Sequence, residues 1–276
     1  MNMDNIFQKF ALAGRTAIVT GGAGLLGVEF CRTLAQAGAQ VVVADLNESA
    51  AGKVAEDLKA AGYPAIHAVV DVTRPESTRA MVDSALENFG RVDILVNSAA
   101  LDPKFDPQNQ DKQSNNAFET FPLAQWNQAI EVNLTGLFLC CQAVVGAMKD
   151  QGRGSIINIC STYGLVGPDQ RIYQRPGQPP KFKPVYYSVT KAGVLGLTHY
   201  LSTYYAGTEI RINALTPGGI YNQHDETFLQ LYSARTVLGR MARKDEMNGA
   251  VLFLASDASS YMTGSNLVVD GGWTAW

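Results

Sequence analysis

The sequence predicts an α/β fold, a doubly wound parallel sheet with helices on both faces, and three observations lead there. Apolar, β-rich runs alternate with amphipathic helical stretches from end to end. A glycine-rich turn joins the first run to the first helix, and no internal repeat or Pro/Gly/Ser-rich linker divides the 276 residues. Strands buried on both faces and separated by helices pair in parallel through right-handed crossovers. Residues 1–276 are therefore expected to form a single domain, a size this class commonly reaches.

In chain order, strands are expected at 15–20, 40–44, 65–70, 93–96, 155–159, 210–214 and 266–269. Helices are expected between them, as at 49–61 and 75–89, where apolar residues recur at spacings of three and four. Longer apolar helices are expected near 123–149 and 187–206. Two segments interrupt the alternation. Residues 101–121 are polar, and 163–184 carries five prolines with Arg171, Arg175, Lys181 and Lys183. Each follows a strand, so each belongs at the carboxyl edge of the sheet, where open α/β sheets bind ligands.

Composition narrows the function classes. The formal net charge is -3 and charged residues make up 17% of the chain, so nothing suggests nucleic acid or an anionic membrane as partner. The start, MNMDNIFQKFALAG, contains Asp4 and no long apolar run, unlike a secretory signal. No uninterrupted apolar run reaches the ~18 residues expected of a membrane helix. Cys31, Cys140, Cys141 and Cys160 sit in apolar patterns without metal-ligand spacing and read as buried thiols, in keeping with a reducing cytoplasm. His67, His199 and His224 are scattered, and no metal site is expected. Small-molecule chemistry is the class left.

The first strand runs into Thr20-Gly21-Gly22-Ala23-Gly24-Leu25-Leu26-Gly27 and then a helix. Gly21, Gly24 and Gly27 suit a tight turn with close backbone approach, and the helix start at Leu25 and Leu26 offers free N–H groups to a pyrophosphate. The second strand ends at Asp45, before Leu46. A carboxylate there accepts both ribose hydroxyls and repels a 2′-phosphate, favouring NAD(H) over NADP(H). The alternative reading is a solvated acid at a strand end, and Arg15 and Arg32 are the cations available to a 2′-phosphate. Asp71 and Val72 follow the third strand, either to receive an adenine or as ordinary loop residues. Asn97, Ser98 and Ala99 follow the fourth, small enough for the backbone to lie flat on a cofactor.

Tyr187-Ser188-Val189-Thr190-Lys191 opens a helix, and i,i+4 spacing sets Lys191 beside Tyr187. A free phenol titrates near ~10. A neighbouring ammonium and an oxidised nicotinamide favour phenolate and are expected to lower that value. Alone, the pair reads equally as a surface i,i+4 contact; the upstream fingerprint favours chemistry. Tyr186 pairs only with Thr190 and is set aside.

TGGAGLLG, Asp45, Asp71, NSAA, EVNLTG, INICS, YSVTK, TPGGI and the closing VVDGGW occur in the order that marks the short-chain dehydrogenase/reductase family, and the chain resembles its short, single-domain branch nearly throughout. The resemblance implies a seven-stranded Rossmann-type domain and a catalytic set of Ser161, Tyr187, Lys191 and Asn133. Ser161 would hold the substrate oxygen and Tyr187 would exchange its proton. Lys191 would bind the nicotinamide ribose, and Asn133 would position a water; without the family, Asn133 reads equally as satisfying a local backbone group. Pro217, Gly218 and Ile220 of TPGGI would face the cofactor. The chain departs from the family pattern in four places. Leu25 stands where a glycine is usual, NSAA replaces NNAG, 163–184 lengthens the gap between Ser161 and Tyr187, and Asn222 replaces a customary threonine.

Residues 218–233 occupy the place of the family's substrate flap, and Asn222, Gln223, His224, Asp225 and Glu226 make it polar. That suits a carbohydrate alcohol or ketone; Arg171, Tyr173, Arg175 and Lys181 could reach a phosphate on it, or the insertion could equally pack against a neighbouring subunit or fold over the site without touching ligand. The glycine turn, the insertion and the C-terminal segment also resemble oxidoreductases of bacterial flagellin-modification and nonulosonate sugar clusters. Three alternatives stand: an NAD-binding sensor or scaffold without turnover, a reductase of a non-sugar carbonyl such as a 3-oxoacyl group, and a nucleotide-sugar epimerase or dehydratase. The resemblance implies a homo-oligomer, dimer or tetramer.

Overall fold

Seven parallel strands lie in the order β3-β2-β1-β4-β5-β6-β7 in a computed structural model that describes residues 5–102 and 116–276. They are β1 (Thr16–Thr20), β2 (Gln40–Asp45), β3 (Ala65–Val69), β4 (Ile94–Asn97), β5 (Arg153–Ile159), β6 (Glu209–Pro217) and β7 (Asn266–Val269). The main helices are α1 (Leu25–Gln36), α2 (Glu48–Ala60), α3 (Pro75–Phe89), α4 (Leu123–Ile130), α5 (Gly136–Asp150), α6 (Val185–Tyr204), α7 (Glu226–Ser233) and α8 (Asn248–Ala255). This is the predicted Rossmann-type architecture. The strand order reverses between β1 and β4, the switch point where such sheets receive ligands.

Each face of the sheet has its own core. Phe30, Leu34, Leu58, Val251 and Leu254 pack α1, α2 and α8 on one side; Met81, Val144, Met148 and Ile212 belong to the other, beneath α3 and α5. The central strands are buried along their length, which explains their continuous apolar runs. The register sets Thr20 beside Asn97 and Asn97 beside Asn158, aligning three polar residues at the carboxyl edge.

Two elements differ from expectation. β6 runs on to Pro217 because Thr216 and Pro217 pair with Val268 and Val269 of β7. The helix expected at 123–149 is broken by a π-helical turn at Glu131–Thr135, with Asn133 at its centre. The run Leu123–Asp150 is, among the described residues, the one helix long and apolar enough to cross a membrane by length and composition alone. Here α5 packs on β5 and α3, while α4 packs on α6. Cys31, Cys140, Cys141 and Cys160 are free and buried, and burial pushes Cys141 up to about 12 and raises Cys31 and Cys140 as well. Most of 101–121 lies outside the described residues.

Residues 163–184 fold back on themselves through short 3-10 turns at Thr162–Gly164 and Gln170–Tyr173. Gln170 Oε1 accepts from the Lys183 N–H at 2.9 Å, and Gln174 Nε2 donates to the Lys181 carbonyl at 2.6 Å. Arg175 grips both oxygens of Asp225 at 2.8 Å, and Arg235 reaches Asp169 at 2.9 Å, so the insertion is tied to α7 and to the chain beyond it.

At the opposite end of the sheet, buried Arg211 on β6 donates to the carbonyls of Leu254 at 3.0 Å, Ser256 at 3.1 Å and Met262 at 3.3 Å. A guanidinium thus caps the C-terminus of α8, where carbonyls lack intrahelical partners. Arg211→Met leaves those carbonyls without it and is expected to cost about 3 kcal/mol. Thermal unfolding should then move down by roughly 5–10 °C; an unchanged melting temperature would show that water replaces the cation.

Candidate active site

The turn after β1 is shaped by what cannot fit there. Gly21 adopts φ +63°, and a Cβ on it would stand 2.8 Å from Ala99 Cα; a Cβ on Gly27 would collide with the Gly21 carbonyl oxygen. Thr20 Oγ1 accepts from the N–H groups of Ser98 at 3.2 Å and Ala99 at 3.4 Å, locking the two loops together. Gly24 caps α1 without any side-chain hydrogen bond. The first-turn N–H groups at Leu25, Leu26 and Gly27 therefore remain available to an anion. A glycine cradle against a bare helix N-terminus fits the pyrophosphate of a dinucleotide.

Asp45 Oδ2 accepts from Ala23 N–H at 3.1 Å and Oδ1 from Asn47 N–H at 3.0 Å, so the carboxylate braces the glycine turn from the end of β2. Leu46 beside it is exposed. Asp71 Oδ1 accepts from the Thr73 N–H at 3.0 Å and hydroxyl at 2.7 Å, and these bonds hold its carboxyl below the usual range. Val72 is buried against α5. Arg15 lies at the amino edge of β1 and is bound to Asp257, while Arg32 leans on Glu29 at 3.4 Å. Neither cation stands free beside Asp45.

Asn97 turns its side chain into the core. Its Nδ2 donates to Asn158 Oδ1 at 2.9 Å, Asn158 Nδ2 donates to Thr198 Oγ1 at 3.0 Å, and that hydroxyl donates to the Val194 carbonyl at 2.8 Å. The ladder pins β4 and β5 to α6 and commits the Asn97 side chain to the core. Pro217 ends β6, Gly218 N–H donates to the Val269 carbonyl at 2.9 Å, and Ile220 bridges to Ala242.

Ser161, Tyr187 and Lys191 come together. Ser161 follows β5, and its Oγ accepts from Tyr163 N–H at 3.2 Å. A Cβ on Gly164 would lie 2.7 Å from the Lys191 carbonyl group, so the turn carrying Ser161 presses directly on α6. Lys191 Nζ is 5.9 Å from the Tyr187 ring centre and donates to the Ile159 carbonyl at 2.8 Å. Burial lowers the Lys191 ammonium. Tyr187 is held well above its ordinary value by burial and then by the charge of Asp102, and the Ser161 hydrogen bond works the other way. Burial is the largest influence on the phenol, and the Lys191 ammonium is turned toward Ile159. Tyr186 packs on Phe121 at 5.8 Å instead.

Asn133 satisfies polar groups of the neighbouring loop and helix. Its Oδ1 accepts from Leu101 N–H at 2.7 Å, and its Nδ2 donates to the Leu101 carbonyl at 3.1 Å and to Thr190 Oγ1 at 3.2 Å. It thus clamps the loop after β4 to α6, one residue before Lys191.

The surroundings are more aromatic than the sequence suggests. Tyr163, Tyr173, Phe228, Tyr232 and Trp273 cluster with Tyr187, Trp273 stacking on Tyr232 at 4.2 Å. Of the flap's polar set, Asp225 caps α7 and holds Arg175, while His224 stacks on Phe228 at 5.0 Å. Arg171 is bound to Asp169. The arginines expected to reach a phosphate are thus engaged by the protein's own carboxylates. Sequence reasoning missed Lys183, whose Nζ lies 4.0 Å from the Tyr187 ring centre and pairs with Asp102 at 2.6 Å. Lys183 is visible in sequence only as one of several basic residues before α6. Among the described residues, no group of three or more His, Cys, Asp or Glu is placed to hold a metal.

A family model described as enoyl-(acyl carrier protein) reductase matches residues 23–274. The cis-4-hydroxycyclohexanecarboxylate dehydrogenase of Sinomonas cyclohexanicum is 36% identical over 274 residues, covering 96% of this chain and 98% of its own. A 3-alpha-(or 20-beta)-hydroxysteroid dehydrogenase of Mycobacterium bovis is 37% identical, covering 96% and 91%. Among solved structures, a gluconate 5-dehydrogenase from Burkholderia cenocepacia, in complex with NADP and tartrate, superposes with a TM-score of 0.85 at 33% identity, covering 99% and 100%.

Gly21→Ala places a methyl group against Ala99 and should weaken dinucleotide binding at least ~10-fold, read by fluorescence titration with NADH. Tyr187→Phe should lower turnover about 10²–10⁴-fold while NADH still binds; retained turnover would remove Tyr187 from the proton path.

Proposed function

The chain belongs to the short-chain dehydrogenase/reductase family and is an oxidoreductase of CH–OH groups with a nicotinamide cofactor, and on that premise we propose an NAD(H)-dependent dehydrogenase that interconverts a secondary alcohol and a ketone on a carbohydrate-type substrate. The observation that carries the chemistry is the meeting of Ser161, Tyr187 and Lys191 at the same carboxyl edge of the sheet as the Gly21 turn. Ser161 holds the substrate oxygen by hydrogen bond, and Tyr187 takes the hydroxyl proton in oxidation or returns it in reduction. Lys191, buried beneath the tyrosine, supplies a fixed donor at the floor of the site. Bound NAD supplies hydride transfer; the protein supplies orientation and proton exchange.

NAD(H) preference is supported by Asp45 at the end of β2 and by the engagement of Arg15 and Arg32 with their own acids. The carbohydrate reading draws on the exposed flap residues Asn222, Gln223 and Glu226 and on the likeness to a gluconate dehydrogenase. The aromatic cluster around Tyr187 favours a second reading, an alicyclic alcohol, in keeping with the hydroxycyclohexanecarboxylate and hydroxysteroid relatives. A cytoplasmic homo-oligomer, tetramer or dimer, completes the proposal, supported by free buried thiols and by exposed apolar side chains on α5 and α6 (Phe138, Tyr200 and Tyr204).

NADH formation across polyols, sugar acids, sugar phosphates and alicyclic alcohols, with Tyr187→Phe as control, tests the substrate class. Turnover of polyols and sugar acids is expected; turnover confined to alicyclic alcohols would replace the carbohydrate reading by the second. Asp45→Ala should shift the NADH/NADPH affinity ratio toward NADPH by about 10-fold or more. An unchanged ratio would overturn the NAD preference.

A further inference from the structure

Lys183 and Asp102 form an ion pair against the Tyr187 ring that the chemistry just described does not use. Lys183 sits immediately before α6, its side chain 13% exposed, with its ammonium 4.0 Å from the centre of the Tyr187 ring. Its counterion is Asp102, at 2.6 Å, whose side chain is 54% exposed. The two residues are far apart in sequence, and separate anchors hold them in place. The Lys183 N–H donates to Gln170 at 2.9 Å, and Leu101 beside Asp102 is clamped at both N–H and C=O by Asn133.

The pair stands at the reacting group. After burial, the charge of the Asp102 carboxylate is the next cause that raises Tyr187. Nearby acids are engaged, Asp169 by Arg171 and Arg235 and Asp225 by Arg175, while Lys191 donates to the Ile159 carbonyl. Lys183 is different. Its only charged partner among the described contacts is a half-exposed carboxylate at a loop end, free on one side to turn to water. A mostly buried ammonium whose counterion can leave is a place for a second anion.

We propose that Lys183 determines specificity by binding an anionic group, carboxylate or phosphate ester, on a substrate whose alcohol carbon lies at Tyr187, and that Asp102 occupies this position until the substrate displaces it. The proposal rests on the alcohol dehydrogenase reading and adds the substrate's charge. The ammonium lies over the ring that carries the phenol oxygen, 4.0 Å from its centre, so an alcohol at Tyr187 and an anion at Lys183 are within the span of one small molecule. The aromatic side chains around Tyr187 cover the carbon skeleton between them. Lys183 and Asp102 should have opposite effects. Removing the ammonium weakens anionic substrates, whereas removing the competing carboxylate strengthens them.

Paired probes test this: gluconate against sorbitol, glucose 6-phosphate against glucose, and 4-hydroxycyclohexanecarboxylate against its methyl ester. In Lys183→Gln the anionic-to-neutral ratio of kcat/KM should fall about 10- to 100-fold, carried by KM, with recovery in Lys183→Arg. In Asp102→Asn the same ratio should rise. The pair whose ratio responds tells carboxylate from phosphate. A parallel loss on both members of every pair, carried by kcat, would overturn the proposal and make Lys183 a support for the Tyr187 ring. Equilibrium binding of gluconate and glucose 6-phosphate to the NAD+-loaded protein provides a readout without turnover. If no probe is oxidised, the proposed substrate classes fail, yet anion binding lost in Lys183→Gln and tightened in Asp102→Asn would still uphold the anion site. Anion binding indifferent to both substitutions would sink it.

Discussion

Gly164 lies so near the backbone of Lys191 that one added carbon would stand 2.7 Å from its carbonyl group, and that approach sets the spacing of the active site. Ser161 is carried by the turn and Tyr187 by the helix, so nothing larger than hydrogen can separate the two elements without separating the two hydroxyls. The same constraint acts in the glycine turn after β1, where Gly21 lies against Ala99. Between them, the Asn97–Asn158–Thr198 ladder joins β4 and β5 to α6 through buried hydrogen bonds. Asn97 takes part through its Nδ2, while its Oδ1 is buried without a hydrogen-bond partner among the described residues. Cofactor cradle and proton-exchanging group are thus rigidly related through backbone contact and core polarity rather than through flexible surface side chains.

Much of this was legible in the sequence because it is local. The strand-turn-helix around Gly21 is contiguous, Asp45 ends an apolar run, and Tyr187 and Lys191 are one helical turn apart. Residues 163–184 and the flap could be placed at the carboxyl edge because they follow strands. What escaped is non-local. Nothing in the sequence announces that Lys183 meets Asp102, that Arg175 meets Asp225, or that Arg235 meets Asp169. Read singly, the arginines and the flap acids suggest ligand contacts; paired, they are struts. The aromatic cluster draws on Tyr163, Tyr173, Phe228, Tyr232 and Trp273, from segments too far apart for any periodicity to reveal. Asn133 was visible as a motif, but its grip on Leu101 depends on where an adjacent loop falls.

The insertion before α6 thereby acquires a definite physical character. Its charges are largely matched to acids on the flap and on itself, so it is a tied roof over the site rather than a basic arm reaching outward. Ion pairs of this kind contribute little stability when exposed but hold geometry when partly buried, as Arg175 and Asp169 are. Lys183 is the cation of that roof which looks down.

The π-helical turn at Glu131–Thr135 has a consequence for the helix around it. A regular α-helix advances about 100° per residue, and a π turn accommodates one residue more than the α repeat allows. The turn therefore acts as a phase shifter. It lets α4 address α6 and α5 address α3 and β5 from a single continuous rod, with Asn133 presented at the seam. Heredity can keep such an arrangement only by counting residues. Substitutions along the rod leave its phase intact, whereas the loss or gain of one residue within it would rotate everything downstream relative to the sheet.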